Sequence, residues 1–193
     1  SAQGGALYIS YLKNYGNING NFIGNYVSGY TGASGGALYH LGNANSYKYS
    51  KMGNINANFI RNHATSATGS AYGGALYNRY GTIGNLDESG NLIGGIYGSF
   101  IDNYVETNSN DNLALGGAVY TTQDLNFIAD NQINYFSGNY SQDYRGKINN
   151  AIFVDTNNPT LTSPITIKLQ AQNNGKIVFN DQIDGGKRQQ NAS

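Results

Sequence analysis

The chain of 193 residues has no cysteine, no tryptophan and only two prolines. The absence of cysteine excludes a disulfide scaffold and any metal site built from thiolates. No run of about 18 apolar residues is present, which argues against a membrane-spanning helix. The chain opens at SAQGGALY, inside a repeated pattern and without the segments of a signal peptide, so we expect an excerpt or a processed product.

Acidic residues are missing from the first part of the chain. Residues 1–86 contain five basic residues and no acid, whereas all eleven acids follow from Asp87 onward. Such an asymmetry can indicate an anionic partner. The five basic residues are scattered among tyrosines and asparagines instead of forming a cluster, however. We therefore expect no nucleic-acid partner.

Turn-forming and aromatic residues are abundant. The chain has 27 glycines, 30 asparagines, 17 tyrosines and 7 phenylalanines, and only 11% of its residues are charged. Disordered chains usually combine high charge with few aromatic residues. This composition therefore predicts a folded, turn-rich protein.

Two short motifs alternate along the chain. The first is Gly-Gly-Ala-Leu/Val-Tyr, whose glycine pairs start at positions 4, 35, 73 and 116, and NNAIFVD at 149–155 is a degenerate copy of it. The second is Phe-x-x-Asn, and NFIADN at 126–131 reads as a longer version of it. Its clear copies are Phe22/Asn25, Phe59/Asn62, Phe100/Asn103 and Phe136/Asn139.

The repeats predict an all-β solenoid of roughly six coils. No stripe of helical period is sustained, and the segments between turns are short and alternate like strands. Sandwich strands would lack a repeating motif, and propeller blades need a steadier and longer repeat. A solenoid tolerates uneven intervals because insertions leave the stack as loops. We expect one domain over residues 1–193, with irregular coils over 1–140 and more regular coils over 141–193.

Alternation along the first motif divides its residues between two faces. We expect an inward row and an outward aromatic ladder with about 4.8 Å between rungs, although the opposite register stays open. The inward row is Leu7, Leu38, Leu76, Val119 and Ile152. The ladder, a candidate binding surface, is Tyr8, Tyr39, Tyr77 and Tyr120, continued by Phe153.

The asparagine of the second motif is predicted to have a structural role. Asparagine tolerates the left-handed backbone conformation of turns, and stacked amides can hydrogen-bond along the axis. We therefore expect Asn25, Asn62, Asn103 and Asn139 to form turns and a ladder, with the phenylalanines stacked in the core.

The alternation of Gly-Gly-Ala-Ile/Leu-Tyr with Phe-x-x-Asn resembles the repeats of bacterial autotransporter passengers, including the polymorphic outer membrane proteins. The segment LTSPITIKLQAQNNGKIVFNDQIDGG (161–186) is similar to the regular coils that precede the translocator of such passengers. The resemblance implies a right-handed parallel β-helix that is displayed at the bacterial cell surface or outside the cell. It also implies a membrane β-barrel translocator in the parent chain, although the sequence contains no barrel domain.

The sequence offers no clear catalytic or metal site. Asp181 and Asp184 are close in the sequence, and Asp124 and Asp130 are a second pair that the fold can bring together. None of the acids recurs at equivalent places in successive coils, which is what would align the paired carboxylates of a glycosidase in space. His40 and His63 lack the spacing of a triad or a metal site. We expect no cofactor, no metal and no enzymatic activity.

Three functions remain open, in decreasing order of preference. Exposed tyrosines among asparagines and glycines provide rigid contact area and hydrogen bonds, which favours an adhesin that recognises a glycan or a surface protein. Unpaired strand edges at the coil ends can instead support self-association in filaments or biofilms. A polysaccharide lyase or hydrolase is the third possibility.

Overall fold

The computed structural model describes residues 1–11, 14–42, 50–156 and 164–186. Within these ranges the chain forms 27 β-strands and no helix. Strands of successive coils pair in parallel and in register, which gives a parallel β-helix of about five to six coils. The predicted all-β solenoid is therefore confirmed.

The first three coils each contribute one strand to each of six stacked sheets. Five of these sheets are named here after a residue that recurs in their strands, and the sixth is called the short sheet. The alanine sheet and the short sheet consist of two-residue strands. The alanine sheet contains β1 (Ala2–Gln3), β7 (Ala33–Ser34), β13 (Ala71–Tyr72) and β19 (Ala114–Leu115), and the short sheet contains β3 (Asn14–Tyr15), β9 (Lys51–Met52) and β15 (Thr82–Ile83).

Two five-stranded sheets continue the coils on the next faces. The isoleucine sheet contains β4 (Ile18–Asn19), β10 (Ile55–Asn56), β16 (Ile96–Tyr97), β21 (Leu125–Asp130) and β25 (Ile167–Gln172). The phenylalanine sheet contains β5 (Phe22–Ile23), β11 (Phe59–Ile60), β17 (Phe100–Ile101), β22 (Ile133–Ser137) and β26 (Lys176–Phe179).

The leucine and tyrosine sheets hold the longer strands and are joined by one antiparallel pair. The leucine sheet contains β2 (Leu7–Ser10), β8 (Leu38–Leu41), β14 (Leu76–Arg79), β20 (Val119–Thr121), β24 (Gly146–Asp155) and β27 (Gln182–Gly186). The tyrosine sheet contains β6 (Tyr26–Gly29), β12 (His63–Ser66), β18 (Tyr104–Thr107) and β23 (Tyr140–Asp143). The first half of β24 pairs antiparallel with β23, and its second half pairs parallel with β20.

The inward row of the first motif forms as predicted. Leu38, Leu76, Val119 and Ile152 are fully buried in the main core, and Leu7 packs against that core from the first coil. The parallel register aligns these residues from coil to coil. NNAIFVD is therefore a true copy of the first motif.

The phenylalanines stack along the axis inside the core. Ring centroids lie 4.7–5.1 Å apart from Phe22 through Phe59 and Phe100 to Phe136. The prediction that NFIADN is a longer copy of Phe-x-x-Asn is wrong. Phe127 pairs with Ile96 in the isoleucine sheet, and its ring lies edge-on to Phe100.

The asparagines form the predicted hydrogen-bonded ladder. Asn62 donates its backbone N–H and its side-chain Nδ2–H to Asn103 Oδ1, both at 3.0 Å. Asn103 donates in the same way to Asn139, and Asn25 donates to Asn62. The ladder ends on the Asp181 carboxylate, which accepts from Asn139.

The left-handed residue of this turn is not the asparagine. Positive φ values occur one position earlier, at Gly24, Arg61, Asp102 and Gly138. The asparagine side chain instead points inward, where its Nδ2 also donates to a phenylalanine carbonyl of the preceding coil, as from Asn103 to Phe59 at 2.9 Å. The asparagine thus contributes to this turn through the hydrogen bonds of its side-chain amide, and the residue before it adopts the left-handed conformation.

Candidate functional site

The tyrosines of the first motif form a regular ladder outside the main core. Rings from Tyr8 through Tyr39 and Tyr77 to Tyr120 stack with centroids 4.8–5.0 Å apart and planes within 4° of parallel. Only the first rung is accessible. Tyr8 is 52% exposed, whereas Tyr39 and Tyr77 are 4% exposed and Tyr120 is fully buried.

The corner before each ladder strand explains this burial. Gly73 has a φ of +58°, and a Cβ on Gly74 would overlap the carbonyl oxygens of Gly117 and Tyr104. The sharp corner brings the outer face of the alanine sheet against the ladder. The ring centroids of Tyr72, in that sheet, and Tyr120 lie 4.9 Å apart, and Leu115 belongs to the same buried cluster.

Polar groups of the ladder are hydrogen-bonded within the protein. The Tyr120 hydroxyl donates to the buried carboxylate of Asp155. Gln3 Nε2 donates to the Tyr39 hydroxyl at 3.1 Å. Burial is the main reason that the pKa of Tyr39 is raised well above its usual value. Tyr39, Tyr77 and Tyr120 thus form a second small core, and Tyr8 alone of the four offers a large accessible surface.

A second aromatic row, absent from the sequence predictions, lies on the tyrosine sheet. Tyr26, His63, Tyr104 and Tyr140 are aligned by the parallel register. Their ring centroids lie 5.3, 4.6 and 5.0 Å apart, and their planes are within 10° of parallel. We call these four residues the aromatic column.

The aromatic column faces solvent. Tyr26 is 63% exposed, and the other three side chains are partly exposed. The sequence does contain a signal for the column. The residue that directly follows the asparagine of each Phe-x-x-Asn copy is aromatic: Tyr26, His63, Tyr104 and Tyr140. The motif is thus one residue longer than we assumed.

Stacking determines which parts of the rings a ligand can reach. The ring planes lie across the helix axis, so each inner ring is covered on both faces by its neighbours. His63 and Tyr104 therefore expose only their ring edges and polar atoms to solvent. Tyr26 at one end leaves a ring face open. At the other end Lys147 Nζ lies 3.7 Å from the centroid of the Tyr140 ring, a cation–π contact that covers that face.

Charge is concentrated at the Lys147 end of the column. The Tyr140 hydroxyl donates to Glu106 Oε1 at 3.1 Å. Burial and the negative charge of Glu106 together raise the pKa of Tyr140 to about 12, and they raise the pKa of Tyr104 as well. Burial lowers the pKa of His63, although Glu106 opposes this shift. The column is therefore neutral near pH 7, with a carboxylate and an ammonium at one end.

The candidate acids have separate structural contacts. Asp124 Oδ1 accepts from Thr166 N at 2.6 Å, and Asp130 Oδ1 accepts from Asn173 Nδ2 at 2.8 Å. Asp124 directly precedes β21 and Asp130 ends it, so the two acids lie about 20 Å apart along an extended strand. This is farther than the roughly 5–10 Å between glycosidase carboxyls. Asp181 terminates the asparagine ladder, and Asp184 accepts from Gly185 N.

His40 lies inside the helix and not at the surface. Its ring is fully buried, with Nδ1 2.9 Å from Asn78 Oδ1 and Nε2 2.9 Å from Ser50 Oγ. Burial lowers its pKa to about 4. In the described ranges no three side chains of the metal-binding types lie close enough to hold an ion.

Comparison with protein-family models, with curated proteins and with solved structures finds no match for this chain. None of the described segments forms a helix that is long and apolar enough to span a membrane. The stacked parallel sheets alone define the class of the protein, which is that of a β-solenoid repeat protein.

Proposed function

We propose that this β-helix is a non-catalytic recognition module, displayed on a bacterial surface, that binds a glycan or a surface protein through the aromatic column. The observation that carries the proposal is a row of four stacked aromatic side chains on one sheet, of which Tyr26 is 63% exposed and the other three are partly exposed. Tyrosine provides rigid contact area at low entropic cost. The resemblance of the repeats to autotransporter passengers supports surface display.

A binding screen tests this proposal. The wild-type domain is applied to a glycan array and to a panel of immobilised extracellular-matrix and bacterial surface proteins, together with Tyr26→Ala and Tyr104→Ala. We expect the wild type to bind one ligand class and the two variants to bind it at least tenfold more weakly. Tyr11→Ala, which changes an exposed tyrosine outside the column, is the matched control and should bind normally. Absence of wild-type binding on both panels, or full binding by Tyr104→Ala, would contradict the proposal.

Self-association through the coil ends is a second candidate, favoured by the exposure of core residues in the first coil. Leu7, Ile18 and Phe22 are partly exposed, whereas their counterparts in the second coil, Leu38, Ile55 and Phe59, are fully buried. A coil from a second copy of this chain, with the same side chains at the same spacing, can cover this face.

Sedimentation velocity over a hundredfold range of concentration tests self-association. We expect association that Phe22→Ser weakens, because Phe22 faces the open core. Ile23→Ser changes a neighbouring side chain that points outward and is 52% exposed, and it should associate as the wild type does. A monomer at every concentration would exclude this candidate. For the enzymatic alternative, no arrangement among the described residues provides specific support.

A further inference from the structure

A polar groove lies on another face of the helix, at the corner between the isoleucine and phenylalanine sheets. Its volume is about 430 Å³, within the usual range for ligand sites of roughly 300–1,000 Å³. The residues that matter for its chemistry are Asn21, Asn56, Asn58, Tyr97, Asp130 and Gln132. None of them belongs to the aromatic column.

The groove exists because the fourth and fifth coils are wider than the first three at this corner. In the third coil four positions separate Ile96 from Phe100, but nine separate their partners Phe127 and Phe136 in the fourth. The additional residues project outward and carry Asp130 and Gln132. The fourth coil thus forms a wall beside a floor made by the earlier coils.

The floor of the groove is held rigidly. Asn58 donates its backbone N–H and its Nδ2–H to Asn21 Oδ1, at 3.1 and 3.2 Å. Asn58 Oδ1 accepts from Ser99 N at 2.9 Å. Asn56 lies in register with Tyr97 and donates to Asn19 Oδ1 at 2.7 Å. Ligand contacts on this floor therefore require little ordering of side chains.

Several polar atoms of the groove have no hydrogen-bond partner among the described residues. They are the Tyr97 hydroxyl, the Gln132 side-chain amide, Asn56 Oδ1 and the second oxygen of Asp130. The set mixes donors and acceptors around one aromatic ring. A ligand with many hydroxyl groups matches it, because each hydroxyl both donates and accepts.

The charge of the groove narrows the ligand class further. Among the described residues that line it, Asp130 alone is charged. Burial and this carboxylate raise the pKa of Tyr97, so its hydroxyl keeps its proton at neutral pH. A negative site without a cation repels anionic ligands and favours neutral or cationic ones.

We propose that this groove is a carbohydrate-binding site for neutral sugars and amino sugars. One sugar ring packs against Tyr97, and its hydroxyls bond to Gln132, Asn56 and Asp130. The site is separate from the aromatic column and does not depend on the column's function.

Isothermal titration calorimetry with four defined hexasaccharides tests the site. The probes are cellohexaose and maltohexaose, which are neutral, the cationic glucosamine hexamer and the anionic galacturonic acid hexamer. We expect a neutral probe or the cationic probe to bind and the anionic probe not to bind. Tyr97→Ala should weaken binding at least tenfold. Asp130→Asn should weaken the affinity for the cationic probe several-fold and leave the affinity for a neutral probe within about threefold of the wild-type value.

Two control variants separate this proposal from the proposed function. Tyr11→Ala changes an exposed tyrosine outside both sites and should bind the hexasaccharides as the wild type does, and Tyr104→Ala shows whether the column takes part in that binding. Binding that is lost in Tyr104→Ala but unchanged in Tyr97→Ala would overturn the groove and support the column. Absence of binding by the two neutral probes and the cationic probe at millimolar concentration would overturn the groove alone. Circular dichroism confirms that each variant is folded.

Discussion

His40 illustrates how one buried residue couples this fold to pH. The ring is fully buried, and Asn78 Nδ2 donates to Thr121 Oγ1. Asn78 Oδ1 is therefore free to accept, which assigns the proton to His40 Nδ1 and leaves Nε2 to accept from the Ser50 hydroxyl. The neutral tautomer satisfies both ring nitrogens, and burial disfavours the charged ring that a second proton would create.

Acidification should therefore destabilise the protein through His40. Its folded pKa is lowered to about 4 from an ordinary value of 6.5. The unfolded chain consequently binds the extra proton first as the pH falls. The stability contribution is fully present above pH 6.5 and is lost between pH 6.5 and 4, by about 3 kcal/mol at most. Urea unfolding at several pH values measures this loss.

The variant His40→Leu isolates this contribution from that of other groups. His63 also has a lowered pKa and adds a slope of the same sign in this range. The difference in unfolding free energy between wild type and His40→Leu should therefore change with pH only through His40. A difference that stays constant from pH 7 to pH 4 would contradict the assignment of a neutral buried ring.

At the scale of single elements, the asparagine ladder links each turn to the next. The Asn103 side chain makes four hydrogen bonds, two from Asn62, one to Phe59 O and one to Asn139 Oδ1. All these atoms are in or beside the core. A buried polar group that loses its partner costs about 1–3 kcal/mol.

Asn103→Ala should therefore lower the free energy of unfolding by about 4 kcal/mol, because several buried groups lose their partner at once. Asn56→Ala is the matched control. Its side chain is exposed and makes one hydrogen bond to Asn19, so the loss should stay below about 1 kcal/mol. Chemical denaturation measures both variants. Similar losses for the two would show that the ladder is not a main source of stability.

At the scale of the whole molecule, the coil stack was predictable because the same side chains recur at the same places. Leu38 and Leu76 occupy identical positions in successive coils, and alternation along the strand suffices to direct them inward. The phenylalanine stack and the amide ladder follow from the same reasoning. The left-handed residue was misplaced because the asparagine amide is needed inside the coil.

Accessibility of the outer face was not predictable from alternation. Tyr39 and Tyr77 do point away from the main core, but the sharp corner at Gly73 places the alanine sheet over them. The polar groove also escaped prediction, because the path of the residues between Phe127 and Phe136 is determined by long-range contacts. The aromatic column was missed because the motif was read one residue too short, before Tyr26 and its counterparts.

The central claim is that the two aromatic rows have different roles: the buried ladder stabilises the fold, and the aromatic column binds the ligand. The most direct test measures the dissociation constant and the thermal midpoint of Tyr104→Ala and Tyr77→Ala side by side, with the ligand found in the screen. We expect Tyr104→Ala to bind at least tenfold more weakly with a nearly unchanged midpoint. Tyr77→Ala should lose about 3–5 kcal/mol of stability but bind normally while folded. Wild-type affinity in Tyr104→Ala, with weakened binding in folded Tyr77→Ala, would contradict the account.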